Sequence, residues 1–372
     1  MTSPPVTSPT AAPATTPADD PDPDDADAVA DAVDPRRARA RGAMRGLALG
    51  DSLGMPSQTL SPAAIVASYG TITGLVAATP DHRISQGLPA GSVTDDTEQA
   101  VIVARLLIEG HGRLEPLPLA EALLEWEETM RAQGSLDLLG PSTKGALEQV
   151  RAGADPTTTG RLGTTNGAAM RVTPVGVATP TDDVERFVRA VHESCMVTHD
   201  TRQGFESAAL VAAAVSLAID GAGAVEAVEG AVALLTRLEE EDRVPGAWSA
   251  KADVMARVRL ALEQAPEPDA TSRHAALQRY LRDTVGTSLE SSESVAVALV
   301  LARDFADAPW EGLLLATNLG GDTDTFGAIA GAILGAASPE SLPQDALATI
   351  ESVSGLDLDD LADRLVVLRD RP

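Results

Sequence analysis

The chain has 372 residues, with 55 Asp and Glu against 28 Lys and Arg, giving a formal net charge of −27 and an isoelectric point near 4.4. Such a balance argues against nucleic acid as a partner, because phosphate binding needs a basic face, and it disfavours an anionic membrane surface. Hydrophobic residues make up 44% but aromatics only 2%, which leaves Ala, Leu and Val to fill the core and favours closely approached helices over a sheet.

Cys195 is the single cysteine, so no intrachain disulfide is available. No basic-then-apolar leader is visible, and the longest apolar runs, such as Ala208 to Ile219, are too short to span a bilayer. A cytoplasmic, monomeric protein is expected.

Residues 1–35 alternate Pro, Thr, Ser and Ala, then carry eight aspartates between Asp19 and Asp34 without apolar periodicity. That composition predicts a disordered acidic tail. From 36 onward the spacing predicts one all-α domain, a compact multi-helix bundle reaching residue 372. Arg36 to Leu49 is the first helix, followed by a Gly- and Pro-marked turn or loop over 50–58. The stretch from Ser61 to Gly87 reads as irregular. Helices are expected over 97–108, 119–131 and 145–152, with a loop at 140–144 before the last of these. Asn166-Gly167 marks a turn. Further helices are expected over 184–192, 204–219, 224–239, 247–263, 272–283, 292–306, 326–335 and 358–368, the run from Gly204 to Ile219 being buried on most sides.

Two stretches stand out chemically. Gly91-Ser92-Val93-Thr94-Asp95-Asp96-Thr97 and Gly320-Gly321-Asp322-Thr323-Asp324-Thr325 each place a glycine before two close carboxylates and two threonines at the start of an apolar helix. N-capping accounts for one such residue per helix, not for four aspartates. Neither motif carries a basic residue. If the fold joins them, each uncompensated carboxylate pair at about 4 Å costs on the order of 4 kcal/mol at an effective dielectric of about 20. A hard divalent cation with oxygen ligands is the expected remedy.

These motifs, together with Gly50-Asp51-Ser52-Leu53-Gly54-Met55-Pro56, Gly140-Pro141-Ser142-Thr143, Asn166-Gly167-Ala168-Ala169-Met170-Arg171 and Thr198-His199, occur in an order that resembles the ADP-ribosylglycohydrolase family. The resemblance runs from about Arg41 to Gly335. It implies an all-α hydrolase with two divalent cations, Mg2+ or Mn2+, at the bottom of a cleft, held by Thr94, Asp95, Asp96, Asp322, Asp324 and Thr325. It implies cleavage of the glycosidic bond between an ADP-ribosyl group and a protein side chain or small acceptor, with Asp95, Asp96 and Gln58 at the catalytic positions and Asp96 taking the proton of the attacking water. Ser142, Thr143, Thr165, Asn166, Gly167, Arg171 and His199 are then substrate-binding. Taken alone, His199 reads as a structural histidine, and Arg171 suits a phosphate or a core aspartate equally.

One position departs from the family pattern. Gln58 stands where the family has a glutamate, and an amide has no titratable proton for general acid or base work. Glu98 is a conceivable substitute, although an exposed first-turn glutamate is the simpler reading. Two alternatives follow: a hydrolase of a smaller nucleoside or riboside, or a non-catalytic member that binds ADP-ribose.

Overall fold

Small residues dictate how the helices meet. In the computed structural model, which describes residues 1–2, 34–135, 139–266 and 272–371, the first helix α1 (Pro35–Gly54) and a late helix α15 (Thr323–Ala337) touch backbone to backbone. Gly42, Gly46, Gly50 and Gly54 recur every fourth residue along one stripe of α1, and they face Gly335, Gly331, Gly327 and the Thr323-Asp324 turn. A Cβ on Gly46 would lie 2.1 Å from the carbonyl oxygen of Gly331, and one on Gly331 would lie 2.1 Å from that of Gly46. Only glycine allows this approach.

Around that seam lie α2 (Pro62–Tyr69), α3 (Asp95–Glu109), α4 (Pro116–Ala132), α5 (Pro141–Arg151), α6 (Gly167–Met170), α7 (Thr173–Ala178) and α8 (Val184–His199). They are followed by α9 (Arg202–Ile219), α10 (Ala224–Glu240), α11 (Val254–Gln264), α12 (Ser272–Tyr280), α13 (Ser291–Asp304), α14 (Pro309–Thr317), α16 (Gln344–Ser354) and α17 (Leu358–Val366). The fold is all-α. Among the described residues there is no strand, only isolated bridges that tie Thr165 to Glu290 and Thr201 to Ala247. No helix among them is long and apolar enough to cross a membrane.

The Ala-rich helix α9 is central, packing against α10, α7, α15, α8 and α6. Its side chains from Ala208 to Val215 are fully buried, as its sequence predicts. Ala, Val and Leu dominate the interior, with Phe187, Phe205 and Phe326 the fully buried aromatics.

Several local expectations are corrected. Gly50 to Gly54 continue α1 instead of turning, because their lack of side chains serves the seam with α15 and not a bend. The irregular stretch contains α2, started by Ser61, whose Oγ accepts from the Ala64 N–H. Residues 141–144 begin α5, Pro141 occupying the first turn where its missing N–H costs nothing. Helix α8 runs on to His199, and α14 and α16 were not expected. The tail expected over 1–35 lies almost wholly outside the described residues.

Gly331→Ala should destabilise the protein by about 2 kcal/mol or more, the scale of overpacking a close contact. Gly145, with open space around its Cβ position on α5, is the control: Gly145→Ala should be neutral or stabilising by up to about 1 kcal/mol. Urea unfolding of both variants checks this, and equal midpoints would contradict the seam.

Candidate metal centre and cleft

The site is assembled on Asp51, near the end of α1. Its carboxylate is fully buried and accepts from the backbone N–H of Thr94 at 3.0 Å and of Thr97 at 3.1 Å, and from the hydroxyls of Thr94 at 2.7 Å and Thr97 at 2.5 Å. Asp51 thus serves as the cap of α3 from another helix; Thr94, in the cap position, gives α3 no side-chain bond of its own. Burial raises the Asp51 carboxyl above its ordinary value despite these four donors.

With α3 anchored, Asp96 faces the start of α15. Its Oδ2 accepts from Thr94 Oγ1 at 3.3 Å and Thr325 Oγ1 at 3.4 Å, while its Oδ1 is buried with no hydrogen-bond partner. Burial, then the negative charges of Asp95, Asp51 and Asp322, push its carboxyl well above the usual carboxylate range. Asp322 is pushed up to about 6 by burial, against hydrogen bonds from Asn166 and Thr325. Asn166 Nδ2 donates to Asp322 Oδ2 at 2.5 Å and to Ser294 Oγ at 3.1 Å. Asp324 is buried and its Oδ1 accepts from the Thr325 N–H at 3.0 Å; Asp95 is half-buried and accepts from Gln99 Nε2 at 2.8 Å.

The loop into α15 fixes this geometry. Gly320 and Gly321 have φ of 80° and 90°, and a Cβ on Gly321 would meet the Thr287 carbonyl oxygen at 2.1 Å. Gly321 exchanges backbone hydrogen bonds with Thr59 and Leu60, which brings the Gln58 segment beside Asp322.

A cleft with about 280 Å³ of free volume opens above the carboxylates, lined by Gln58, Asp95, Asp322, Asp324 and Thr325 and, opposite, by Gly140, Pro141, Thr143, Thr165, Asn166 and Gly167. Ser142 stands beside it, its Oγ accepting from the Thr165 N–H at 3.3 Å. Arg171 and His199 do not line it; both are fully buried behind it. Arg171 donates to Gln99 Oε1 at 3.0 Å and to Thr198 Oγ1 at 2.5 Å, Thr198 Oγ1 meets His199 Nδ1 at 2.8 Å, and His199 Nε2 meets Thr165 Oγ1 at 3.1 Å. With the Gln99 bond to Asp95, this is one continuous chain from a motif aspartate to the far wall of the cleft. Arg171, Thr198 and His199 stand behind Asp95 and Thr165, which line the cleft. His199 also sits against Gly167, where a Cβ would come within 2.9 Å of the imidazole.

Gln58 is buried, its amide donating to Ser85 Oγ at 2.8 Å. His82 holds that loop: Nε2 meets the Gln58 carbonyl oxygen at 3.1 Å, and Nδ1 accepts from the N–H groups of Ile84 and Ser85. Two donors on Nδ1 fix the neutral tautomer, and burial lowers the imidazole pKa. Glu98, expected to be an exposed first-turn glutamate, is half-buried and accepts from the Trp126 indole at 2.5 Å.

The oxygen donor set suits hard divalent cations, and the orphaned Asp96 Oδ1 is the strongest sign of fit. Among the described residues the tightest acidic trio lies elsewhere: Glu206, Glu239 and Asp253, with oxygens within 4.8 Å of one another. There Arg202 pairs with Glu206 and Glu239, Arg259 adds to Glu239, and Asp253 caps α11, so the charge is already answered. The motif aspartates are spread more widely than this trio.

The model of the ADP-ribosylglycohydrolase family matches residues 32–372. The chain belongs to the ADP-ribosylglycohydrolase family. It is 32% identical to the uncharacterized protein YegU of Escherichia coli K12 over 87% of this chain and 94% of that protein. It is 28% identical to the ADP-ribosylarginine hydrolase Tri1 of Pseudomonas putida GB-1, covering 67% of this chain and 59% of that one. A solved structure described as an ADP-ribosylglycohydrolase-related protein complex superposes with a TM-score of 0.63 at 26% identity, covering 90% of this chain and 98% of that one. The chain is therefore a glycosidase-type hydrolase of the ADP-ribosyl class, in a family that uses divalent metals and acts on ADP-ribosylated proteins or small ADP-ribose compounds.

Asp51→Ala should cost at least about 2 kcal/mol, because two buried backbone donors of α3 lose their acceptor; a urea midpoint equal to wild type would contradict its capping role. The pH dependence of stability is also specified. The folded pKa of His82 lies below its unfolded value of about 6.5, so its contribution is complete above pH 6.5 and is lost as pH falls from there toward the folded value. His199, lowered by burial and then by Arg171, acts in the same direction. His82→Gln should flatten the stability profile as pH falls below 6.5; profiles that stay parallel would contradict it.

Proposed function

We propose that this enzyme hydrolyses the glycosidic bond of an ADP-ribosyl group in a reaction dependent on divalent cations, Mg2+ or Mn2+. The observation that carries the reading is the Asp96 Oδ1 atom, buried without a partner amid other carboxylates and next in sequence to Asp95, which lines the cleft. Thr94, Asp95, Asp96, Asp322, Asp324 and Thr325 would hold two cations. When bound, these would orient the ribose hydroxyls and activate a water toward the anomeric carbon.

The chain's own residues supply the rest. Asp96 takes the proton of the attacking water, and the Asp51 network keeps α3 from shifting while it does so. Asn166 fixes Asp322 and presents its edge of the cleft to the sugar. Gln58 has no proton to give; held by Ser85, it orients the scissile group and is not an acid or base. Gly140 and Pro141, at the start of the 11-residue helix α5, put that helix's N-terminus at the cleft wall. Its free N–H groups and dipole favour a diphosphate.

A smaller riboside substrate is favoured by one observation: no Lys, Arg or His is among the residues lining the cleft. Among the described residues, the α5 terminus and the Gly167 backbone would then be the features left for a diphosphate. Comparing binding of ADP-ribose with that of ribose separates the two readings.

Mg2+ or Mn2+ at one hundred times its dissociation constant should stabilise the metal-free protein by about 2.7 kcal/mol. Chelator should abolish release of ADP-ribose from modified arginine, modified serine or a small ADP-ribosyl compound, with either metal restoring it. Asp324→Asn should lose both effects. Cleavage that persists in chelator, or no cleavage across that panel with metal supplied, would contradict the proposal.

A further inference from the structure

Arg171 is fully buried, yet among the described residues no carboxylate bonds to it. Its two terminal nitrogens donate to neutral oxygens, Gln99 Oε1 and Thr198 Oγ1, and its Nε–H is buried without a partner. Burial lowers its pKa to about 10, which leaves it charged at neutral pH. A guanidinium can only donate, so every bond that leads away from it has a fixed direction. On the α3 side, Gln99 turns its carbonyl oxygen to Arg171 and so presents its amide hydrogens to Asp95 Oδ2 at 2.8 Å.

On the cleft side the same logic runs through three residues. Thr198 Oγ1 accepts from Arg171, and the one acceptor it meets for its own hydrogen is His199 Nδ1 at 2.8 Å. Burial, and then the charge of Arg171, keep His199 neutral. With Nδ1 accepting, the ring proton stands on Nε2, which lies 3.1 Å from Thr165 Oγ1. Thr165 Oγ1 therefore accepts from the imidazole, and no other described group bonds to it. Thr165 is half-buried and lines the cleft, and its backbone N–H is already held by Ser142 Oγ at 3.3 Å. Its hydroxyl hydrogen is what remains for a ligand.

We propose that this relay makes Thr165 a dedicated hydrogen-bond donor at the cleft wall, facing an oxygen acceptor of the substrate, with Arg171, Thr198 and His199 as its positioning residues. The inference rests on the reading of the cleft as an ADP-ribosyl hydrolase site. The opposite tautomer fails on its own bonds. An Nδ1–H would point at a Thr198 oxygen that already accepts from Arg171, leaving the buried Thr198 hydrogen with no acceptor, a loss that folding does not recover. Thr165 would then donate to Nε2 and show the cleft only lone pairs. In the observed arrangement it selects a hydroxyl, ether or phosphoryl oxygen and rejects an N–H group at the same place. The relay transfers no proton; it fixes where each one stands.

The test uses the full chain loaded with Mg2+ and ADP-ribose as the probe. Nitrogen-15 NMR of histidine-labelled protein reads the tautomer directly, with His199→Gln identifying its signals among the five histidines. Wild type should show His199 neutral and protonated at Nε2. In titration calorimetry Thr165→Val should weaken ADP-ribose binding about fivefold or more, the scale of one hydrogen bond, while Thr165→Ser should stay within about twofold of wild type. Thr198→Val should move the His199 proton toward Nδ1 and weaken binding as Thr165→Val does, and Thr198→Ser should restore both. His199 protonated at Nδ1 in wild type, a reading that needs no variant to fold, would overturn the inference. So would equal binding by Thr165→Val and Thr165→Ser. Failure of wild type to bind ADP-ribose would strike the hydrolase reading instead, while an Nε2–H imidazole that Thr198→Val alters would still support the relay.

Discussion

The backbone contact between α1 and α15 is the constraint on which the site depends. Glycines four residues apart on both helices let the chains approach until a single methyl group would collide with a carbonyl oxygen. This closeness places Asp51, on α1, next to α3 and sets the acidic start of α15 opposite it. A wider helix pair with Ala at these positions would separate the two motifs and leave each as an ordinary helix N-terminus. The dense packing of small residues through α9, α13 and α15 then holds the seam rigid, since an interior so tightly packed has little room to relax.

On that scaffold the fold sustains a costly cluster of buried acids. Asp51 is offset by four hydrogen-bond donors and Asp322 by Asn166, but Asp96 keeps one oxygen without any partner. The contrast with Glu206, Glu239 and Asp253 is instructive: there two arginines are built into the chain, so that trio is complete without a ligand. Among the described residues that line the cleft there is no Lys, Arg or His. The buried Asp96 oxygen without a partner is what ties this structure to the proposed function.

Much of this was legible in the sequence because it is local. The two acidic motifs, their glycines and the apolar helices that follow announce both the all-α fold and the oxygen donors. The glycine period of four at 42, 46, 50 and 54 was also visible, but Gly50 and Gly54 beside Pro56 resemble a turn, and only the matching period at 327, 331 and 335 marks them as helical. What the sequence did not show depends on contacts distant along the chain. Asp51 becomes a cap only when α3 arrives, forty-odd residues later. Arg171 and His199, expected at the substrate, are instead linked through Thr198 and Gln99 into a buried support. Glu98 reads as a solvent-facing first-turn residue until Trp126 of α4 closes over it.

The central claim is that the two acidic helix starts together hold divalent cations. Anomalous diffraction from crystals soaked in Mn2+ tests it most directly, because it locates the ions independently of any reaction. The account predicts two peaks among Asp95, Asp96, Asp322 and Asp324, with one ion against the Oδ1 atom of Asp96. Mn2+ found only at the Glu206, Glu239 and Asp253 trio, or no peak at the motif aspartates, would contradict it.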